Sequence, residues 1–496
     1  MFYIGLDIGS TTIKGSLYDA KTGEVVRRTK FPKEELCILS PEVGMAEQNP
    51  EEWWTNVKQV ILGLVSKDNI GKHVRGIGII YQMHGLICVD KNLQVLRPAI
   101  IWCDSRAVNI GDEIQYKLNE NIISQHILNP PGNLTAAKLA WVKRNEPHIY
   151  DQIHKILLPG DYIAMKLSGT CETTISGLSE MALWDFKENC INEDVLKAFG
   201  FEKSILPKVV LNQEIQTIVN KEASLELGIK EGTPISYRAG DQVGNAFAVN
   251  VNKPGEAVCN AGTSGVIYGL SKQISGDSKG RYNSIAHSNY TTDNPLLGYL
   301  LCINGCGILY SWLKNNICNQ KSFEELNMLA GEVSAEAEGL RIIPYGNGAE
   351  RSLCNKMTGA HFMNIDFNRH SYKHIIRAAL EGIAFSFKYG LEILQDNDIQ
   401  FEQFNASFTN LMQSGVFTQT LSDITYLPIT CLQTEGSDGA ARGAAVGTGE
   451  FHTEEVFKTL RPHSIVKPKC NHQLKEAYLE WKEILNELIK RDNHVI

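Results

Sequence analysis

The stretch Tyr3 to Gly15, YIGLDIGSTTIKG, constrains the fold more than any other part of the chain. An apolar strand ends on an acidic residue, Asp7, and turns through glycine into two hydroxyl residues, Thr11 and Thr12. Backbone N–H groups and hydroxyls at such a turn suit a phosphate, and a carboxylate beside them suits a hydrated Mg²⁺. An unpaired carboxylate at the end of an apolar strand is costly unless it meets a metal, a donor or water. The same pattern, followed by SLYD, a KTGE turn and VVRRT, also describes an ordinary antiparallel hairpin.

A second element of this kind removes much of that ambiguity. EAVCNAGTSGVIYGL, Glu256 to Leu270, is again strand, Gly-Thr-Ser-Gly turn, strand, with Gly262 and Thr263 at its turn. Two phosphate-type hairpins in one chain point to an internal duplication. The expected fold is therefore α/β: two ribonuclease-H-like lobes of the actin-like ATPase type, with an active-site cleft between them. A chain of 496 residues exceeds what one hydrophobic core serves and suits two lobes. The expected division is 1–250 for the first lobe, 251–450 for the second, and 451–496 for a tail with one helix. Asn252-Lys253-Pro254-Gly255 supplies a turn at the first boundary.

Local signals fill in the frame. Asn49-Pro50-Glu51-Glu52 combines an N-cap, a first-turn proline and a capping-box glutamate, and Trp53, Val57, Ile61 and Leu64 follow at helical spacing. Gly76 to Ile80 and Leu86 to Val89 read as strands, so the turn Gln82-Met83-His84-Gly85 is held at a strand end. A third strand closes at Ile100-Ile101-Trp102 and exits through Cys103-Asp104-Ser105-Arg106. Asp104 and Arg106 read as an exposed ion pair of little energetic weight. Thr173 to Glu180 is too rich in glycine and serine for a core helix. Ser371 to Leu394 predicts a strongly apolar helix, and Leu474, Tyr478, Trp481, Leu485 and Leu488 mark one face of a final packing helix behind a linker.

The net charge of −8 and a pI near 6.0 give no electrostatic case for a nucleic-acid partner. The twelve cysteines lack any C-x-x-C pair and read as reduced thiols. No basic n-region with an apolar h-region opens the chain, and no apolar run reaches membrane-spanning length. A cytoplasmic protein without a membrane partner is expected.

At Gln82-Met83-His84-Gly85 followed by RPAIIWCDSR, the chain closely resembles the xylulokinase group of FGGY carbohydrate kinases. The likeness continues through LPGDYIAMKLSGT, TTISGLSEMALWDF, AGDQVGNAF, AGTSGVIYG and EGSDGAARGAAVGTG. The resemblance implies ATP-dependent phosphorylation of D-xylulose at its terminal hydroxyl, with ATP and Mg²⁺ required. Another pentulose or polyol, such as ribulose or L-xylulose, and a non-catalytic actin-like sugar sensor are the alternatives. It also implies Asp241 as catalytic base and Asp7 at the Mg²⁺–phosphate region, acting through water. Gln82, Met83, His84 and Gln242 join Asp241 around the sugar. Thr11, Thr12, Gly262 and Thr263 would hold phosphates, and Ser407 and Asn410 would serve the nucleotide. The partners are then a ketose and ATP, and a homodimer is left open.

Read without the resemblance, these residues have plainer roles. Asp241 fits a helix N-cap, His84 a satisfied core histidine and Met83 a gap filler. One departure from the family stands out. Ser407 and Phe408 occupy a loop, Asn405 to Asn410, that is glycine-rich in many members and lets backbone approach the adenosine.

Overall fold

The computed structural model describes residues 1–66 and 69–491. Its first sheet is built from β1 (Phe2–Ile8), β2 (Ile13–Asp19), β3 (Glu24–Phe31), β4 (Val74–Tyr81), β5 (Thr217–Ile218) and β6 (Pro234–Gly240), in the order β5-β6-β4-β1-β2-β3. β1 to β3 form an antiparallel meander, while β4 runs parallel to β1 and β6 parallel to β4. The second sheet contains β7 (Glu256–Ala261), β8 (Gly265–Ser271), β9 (Asn283–Ala286), β10 (Leu297–Ile303), β11 (Gln403–Ser407), β12 (Ile429–Leu432) and β13 (Pro462–Val466). Their order is β9-β10-β8-β7-β11-β12-β13. The run β10-β8-β7-β11-β12 repeats the pairing of β3-β2-β1-β4-β6, so the duplication expected from the two hairpins is present in the topology.

Helix α1 (Pro50–Val65) begins where Asn49 accepts the Glu51 N–H at 3.1 Å, and it buries Trp53, Val57, Ile61 and Leu64. Glu52 stands at the capping-box position, but among the described residues its side chain takes no bond from the Asn49 N–H. Glu51 accepts from Tyr162 at 2.8 Å and pairs with Lys166, tying α1 to a later helix. Helices α2 (Thr135–Asn145) and α3 (Pro159–Ser168) follow.

The segment expected to be too polar for a core helix is one. α4 (Ile175–Glu180) is buried at every residue. Several of its polar groups find partners: Thr174 Oγ1 accepts the Gly177 N–H at 3.0 Å. Ser179 Oγ donates to the Ser176 carbonyl at 2.7 Å and accepts the Ala286 N–H of β9 at 3.0 Å. Helix α5 (Asp241–Ala248) leaves β6 directly.

In the second half, α6 (Tyr372–Gln395) forms the apolar helix read from sequence. α7 (Gly436–Gly447) is the connection between the halves: it lies on β1, β4, β6 and β2 of the first sheet, not on the second. Glycines allow the approach. A β-carbon on Gly5 would stand 1.9 Å from the Ser437 carbonyl oxygen, and one on Gly78 2.0 Å from that of Ala440. Backbone cannot yield as a side-chain tip can, so Gly5→Ala is expected to cost about 2 kcal/mol or more, read as a lowered Tm. An unchanged Tm would mean that α7 is not seated as described.

The stretch after Glu450 is more than a linker, because β13 pairs antiparallel with β12 and completes the second sheet. The final helix, α8 (His472–Arg491), buries Leu474, Tyr478, Trp481 and Leu485 with Leu488 packed alongside, and Trp481 Nε1 donates to the Ile342 carbonyl at 2.8 Å.

Candidate active site

Three chain reversals bring the chemistry together. Asp7 is the penultimate residue of β1, and the turn to β2 is closed by the Gly9 N–H on the Thr12 carbonyl at 3.2 Å, leaving Thr11 exposed and Thr12 half-buried. β4, parallel to β1, ends one residue before Gln82, whose N–H donates to the Ile8 carbonyl at 2.9 Å. β6, parallel to β4, delivers Gly240 and Asp241. Parallel strands place all three at one edge of the sheet, the position where ligands meet open α/β sheets.

Asp241 is the first residue of α5, and Gly240 is the N-cap, with no side-chain capping bond. The N-cap role therefore does not belong to Asp241. Nor does its carboxylate keep an ordinary pKa: burial and the Asp7 carboxylate raise it to about 7, against the pull of Gln242 and the helix-start N–H groups. Asp7 rises to about 6, first through burial and then through Glu435, with Lys14 opposing. No protein donor among the described residues bonds the Asp7 carboxylate. Mg²⁺ keeps several waters and takes only one or two carboxylates plus phosphates, so Asp7 is the residue that could hold such an ion.

The Gln82-Met83-His84-Gly85 turn lies beside this pair. A β-carbon on Gly240 would stand 2.6 Å from Met83 Cγ, so Met83 is packed under the residue preceding Asp241. His84 is half-buried, and burial and Lys138 hold its pKa down at about 3. Gln82 is buried, its amide nitrogen 3.3 Å from Gln48 Oε1, and Gln48 in turn donates to the Ser10 carbonyl at 2.6 Å. Gln82 thus braces the first hairpin.

Asp104 and Arg106, read as an exposed pair, are buried. Asp104 Oδ2 accepts the Ala46 N–H at 2.6 Å, and Arg106 pairs with Glu47 at 2.8 Å while stacking over Trp141. These bonds fix the segment after Trp102 and hold the Arg106 guanidinium against Glu47, Asp104 and Trp141.

The second hairpin borders a cavity of about 750 Å³. Gly262 and Thr263 line it, with their carbonyls bonded by the N–H groups of Gly307 and Ile308, each at 3.0 Å. Tyr310, Phe323, Phe408 and Asn410 are also on its wall. Asn410 adopts a left-handed φ of 51°, the conformation for which glycine is the usual residue. Phe408 stacks on His463 of β13, and Ser407 is half-buried at the end of β11, outside the residues lining the cavity. The two regions are linked through β10: Cys302 pairs with Val266 next to the hairpin and senses the Asp241 charge.

Sequence reading missed two residues here. Lys138 is wholly buried on α2, its Nζ donating to the carbonyls of His84 at 2.7 Å and Ile101 at 3.0 Å. Glu180 is buried beneath the turn. A lysine among Ala136, Ala137, Leu139 and Val142 was the available signal for the first.

Models of the N-terminal and C-terminal domains of the FGGY family of carbohydrate kinases match residues 2–248 and 257–449. The chain is 27% identical to the xylulose kinase of Lactococcus lactis, over 97% of this chain and 96% of that one. It is also 27% identical to the xylulose kinase of Bacillus subtilis, over 92% and 90%. In structure it is similar to the xylulose kinase from Rhodospirillum rubrum, with a TM-score of 0.89 and 24% identity over 99% of this chain and all of that one.

Proposed function

Because the chain belongs to the FGGY family of carbohydrate kinases and is an ATP-dependent sugar kinase, we propose that its substrate is D-xylulose. The γ-phosphoryl group of ATP passes to the terminal hydroxyl, giving D-xylulose 5-phosphate. The observation that carries this reading is the packing of Met83, from the Gln-Met-His-Gly turn, directly under Gly240-Asp241: the group that reads the sugar and the base share one wall.

Phosphoryl transfer has a loose transition state with its charge spread over the phosphoryl oxygens, so alignment and electrostatics dominate. Asp241 orients the attacking hydroxyl and takes its proton. Its raised pKa matches that task better than an ordinary aspartate would, since a base titrating near the working pH accepts the proton most effectively. Thr11 and Thr12 on one side and Gly262 and Thr263 on the other hold phosphate oxygens. The 750 Å³ cavity takes the adenosine, with Asn410 and Phe408 on its wall. Met83, His84, Gln82 and Gln242 shape or brace the sugar pocket. Mg²⁺, held through water by Asp7, would neutralise phosphate charge. Twelve free cysteines fit a reducing compartment, the cytoplasm.

An assay of ADP release with D-xylulose, D-ribulose, L-xylulose, glycerol and no sugar tests the reading. D-xylulose should give the highest kcat/KM. A higher value for any other acceptor would reassign the substrate.

Asp241 also predicts a pH dependence. Activity needs the carboxylate ionised, so kcat/KM for the sugar should fall as the pH drops through about 7, approaching tenfold per unit below it. A limb near pH 4 would mean an unperturbed aspartate.

A further inference from the structure

One residue of the proposed sugar turn, His84, has a left-handed backbone, with φ at 58°. A non-glycine residue stays in that region only when its surroundings over-determine it. Three contacts do so here. Lys138 Nζ donates to the His84 carbonyl at 2.7 Å. The His84 N–H lies 3.4 Å from Glu180 Oε1, and the ring Nδ1 lies 3.1 Å from the Glu180 carbonyl oxygen.

The last contact decides the tautomer. A carbonyl oxygen can only accept, so Nδ1 carries a hydrogen, and in a neutral imidazole Nε2 is then a bare acceptor. The ring is neutral: burial and the Lys138 and Arg351 cations disfavour the imidazolium, and only the Glu180 carbonyl opposes them. Nε2 has no protein partner among the described residues.

Glu180 reaches further than His84. Its side chain is 1% exposed, its Oε2 has no hydrogen-bond partner, and a β-carbon on Gly240 would stand 2.8 Å from that oxygen. The same side chain therefore packs behind both the sugar turn and the residue preceding Asp241. A buried carboxyl with one oxygen unbonded is expensive to retain, and a packing role alone would be filled better by an apolar residue.

We propose that Glu180 is a specificity-determining positioning residue: its carbonyl holds the His84 ring as the Nδ1–H tautomer and its Oε1, against the His84 N–H, holds the turn that aims the ring, so that Nε2 accepts a hydrogen bond from a sugar hydroxyl. A ketose carbonyl, which has no hydrogen to give, cannot satisfy Nε2. His84 depends on the pentulose-kinase reading for the identity of its sugar, but not for its tautomer.

Two measurements test this. In ¹H–¹⁵N multiple-bond spectra of ¹⁵N-histidine-labelled wild-type protein, with His84 assigned by comparison with His84→Gln, Nδ1 should appear protonated and Nε2 unprotonated from pH 6 to 9. A protonated Nε2, or an imidazolium titrating near pH 6.5, overturns the proposal. In kinetics, Glu180→Ala should raise KM for the sugar about tenfold or more, leaving KM for ATP and kcat within about threefold, and Glu180→Gln, which keeps an acceptor at Oε1, should restore the sugar KM. A wild-type sugar KM in the Ala variant, or equal damage to the ATP and sugar constants, also overturns it. If the Ala variant does not fold, the wild-type spectrum and the Gln variant decide. If no pentulose is phosphorylated, the substrate reading fails, and the spectrum still judges the clamp.

Discussion

Replacing Asp241 by Asn should leave sugar and ATP binding in place while lowering kcat by about 10²-fold or more. Asn keeps the shape and the hydrogen bonds at the start of α5 but cannot take the proton of the sugar hydroxyl. Ala, which also loses the alignment, should do no better. Because Gly240 is the N-cap, neither substitution removes a capping bond. Stability should in fact move the other way. A carboxylate with a folded-state pKa near 7 and an unfolded value near 4 is ionised against its surroundings at pH 8, partly relieved between 4 and 7 as only the folded state takes up the proton, and without effect below 4. The Asn variant should therefore melt above wild type at pH 8, with the gain vanishing toward pH 4. A fully active Asn variant would remove Asp241 from the chemistry.

Asp7→Asn is the second large effect expected. Its carboxylate has no protein donor among the described residues and stands beside the Thr11–Thr12 turn that we propose holds phosphate, so its loss should fall on turnover, by about 10²-fold, with little change in sugar KM. Asn cannot hold the metal's water shell by charge, and added Mg²⁺ should recover part of the rate. Near wild-type turnover with Mg²⁺-ATP would show that the metal assignment is wrong. A rise in sugar KM equal to the fall in kcat would place Asp7 on the sugar instead.

The parts of this site visible in the sequence are those whose signals are local. A strand running into Asp-x-Gly-x-Thr-Thr and one running into Gly-Thr-Ser-Gly are complete within a dozen residues, and so is the proline-led start of α1. The parts that escaped the sequence depend on distant partners. α4 looks like a loop until Ser179 finds the Ala286 N–H, more than a hundred residues away, and its hydroxyls cease to compete with the helix. Glu180 and Lys138 look like surface charges, yet both are buried because the His84 turn needs an acceptor and a donor from behind. β13 reads as linker because an edge strand carries little hydrophobic alternation, and only β12 gives it a partner. The placement of α7 on the other half's sheet rests on the missing side chains of Gly5 and Gly78, which no local pattern announces.

The central claim is the transfer of phosphate to one hydroxyl of one sugar, and the product reports it directly. Protein incubated with Mg²⁺-ATP and uniformly ¹³C-labelled D-xylulose should yield a sugar phosphate whose ¹³C–³¹P coupling lies at C5, forming in wild type and not at a comparable rate in Asp241→Asn. Coupling at C1, or no xylulose-dependent product under conditions where another acceptor is phosphorylated, would contradict it.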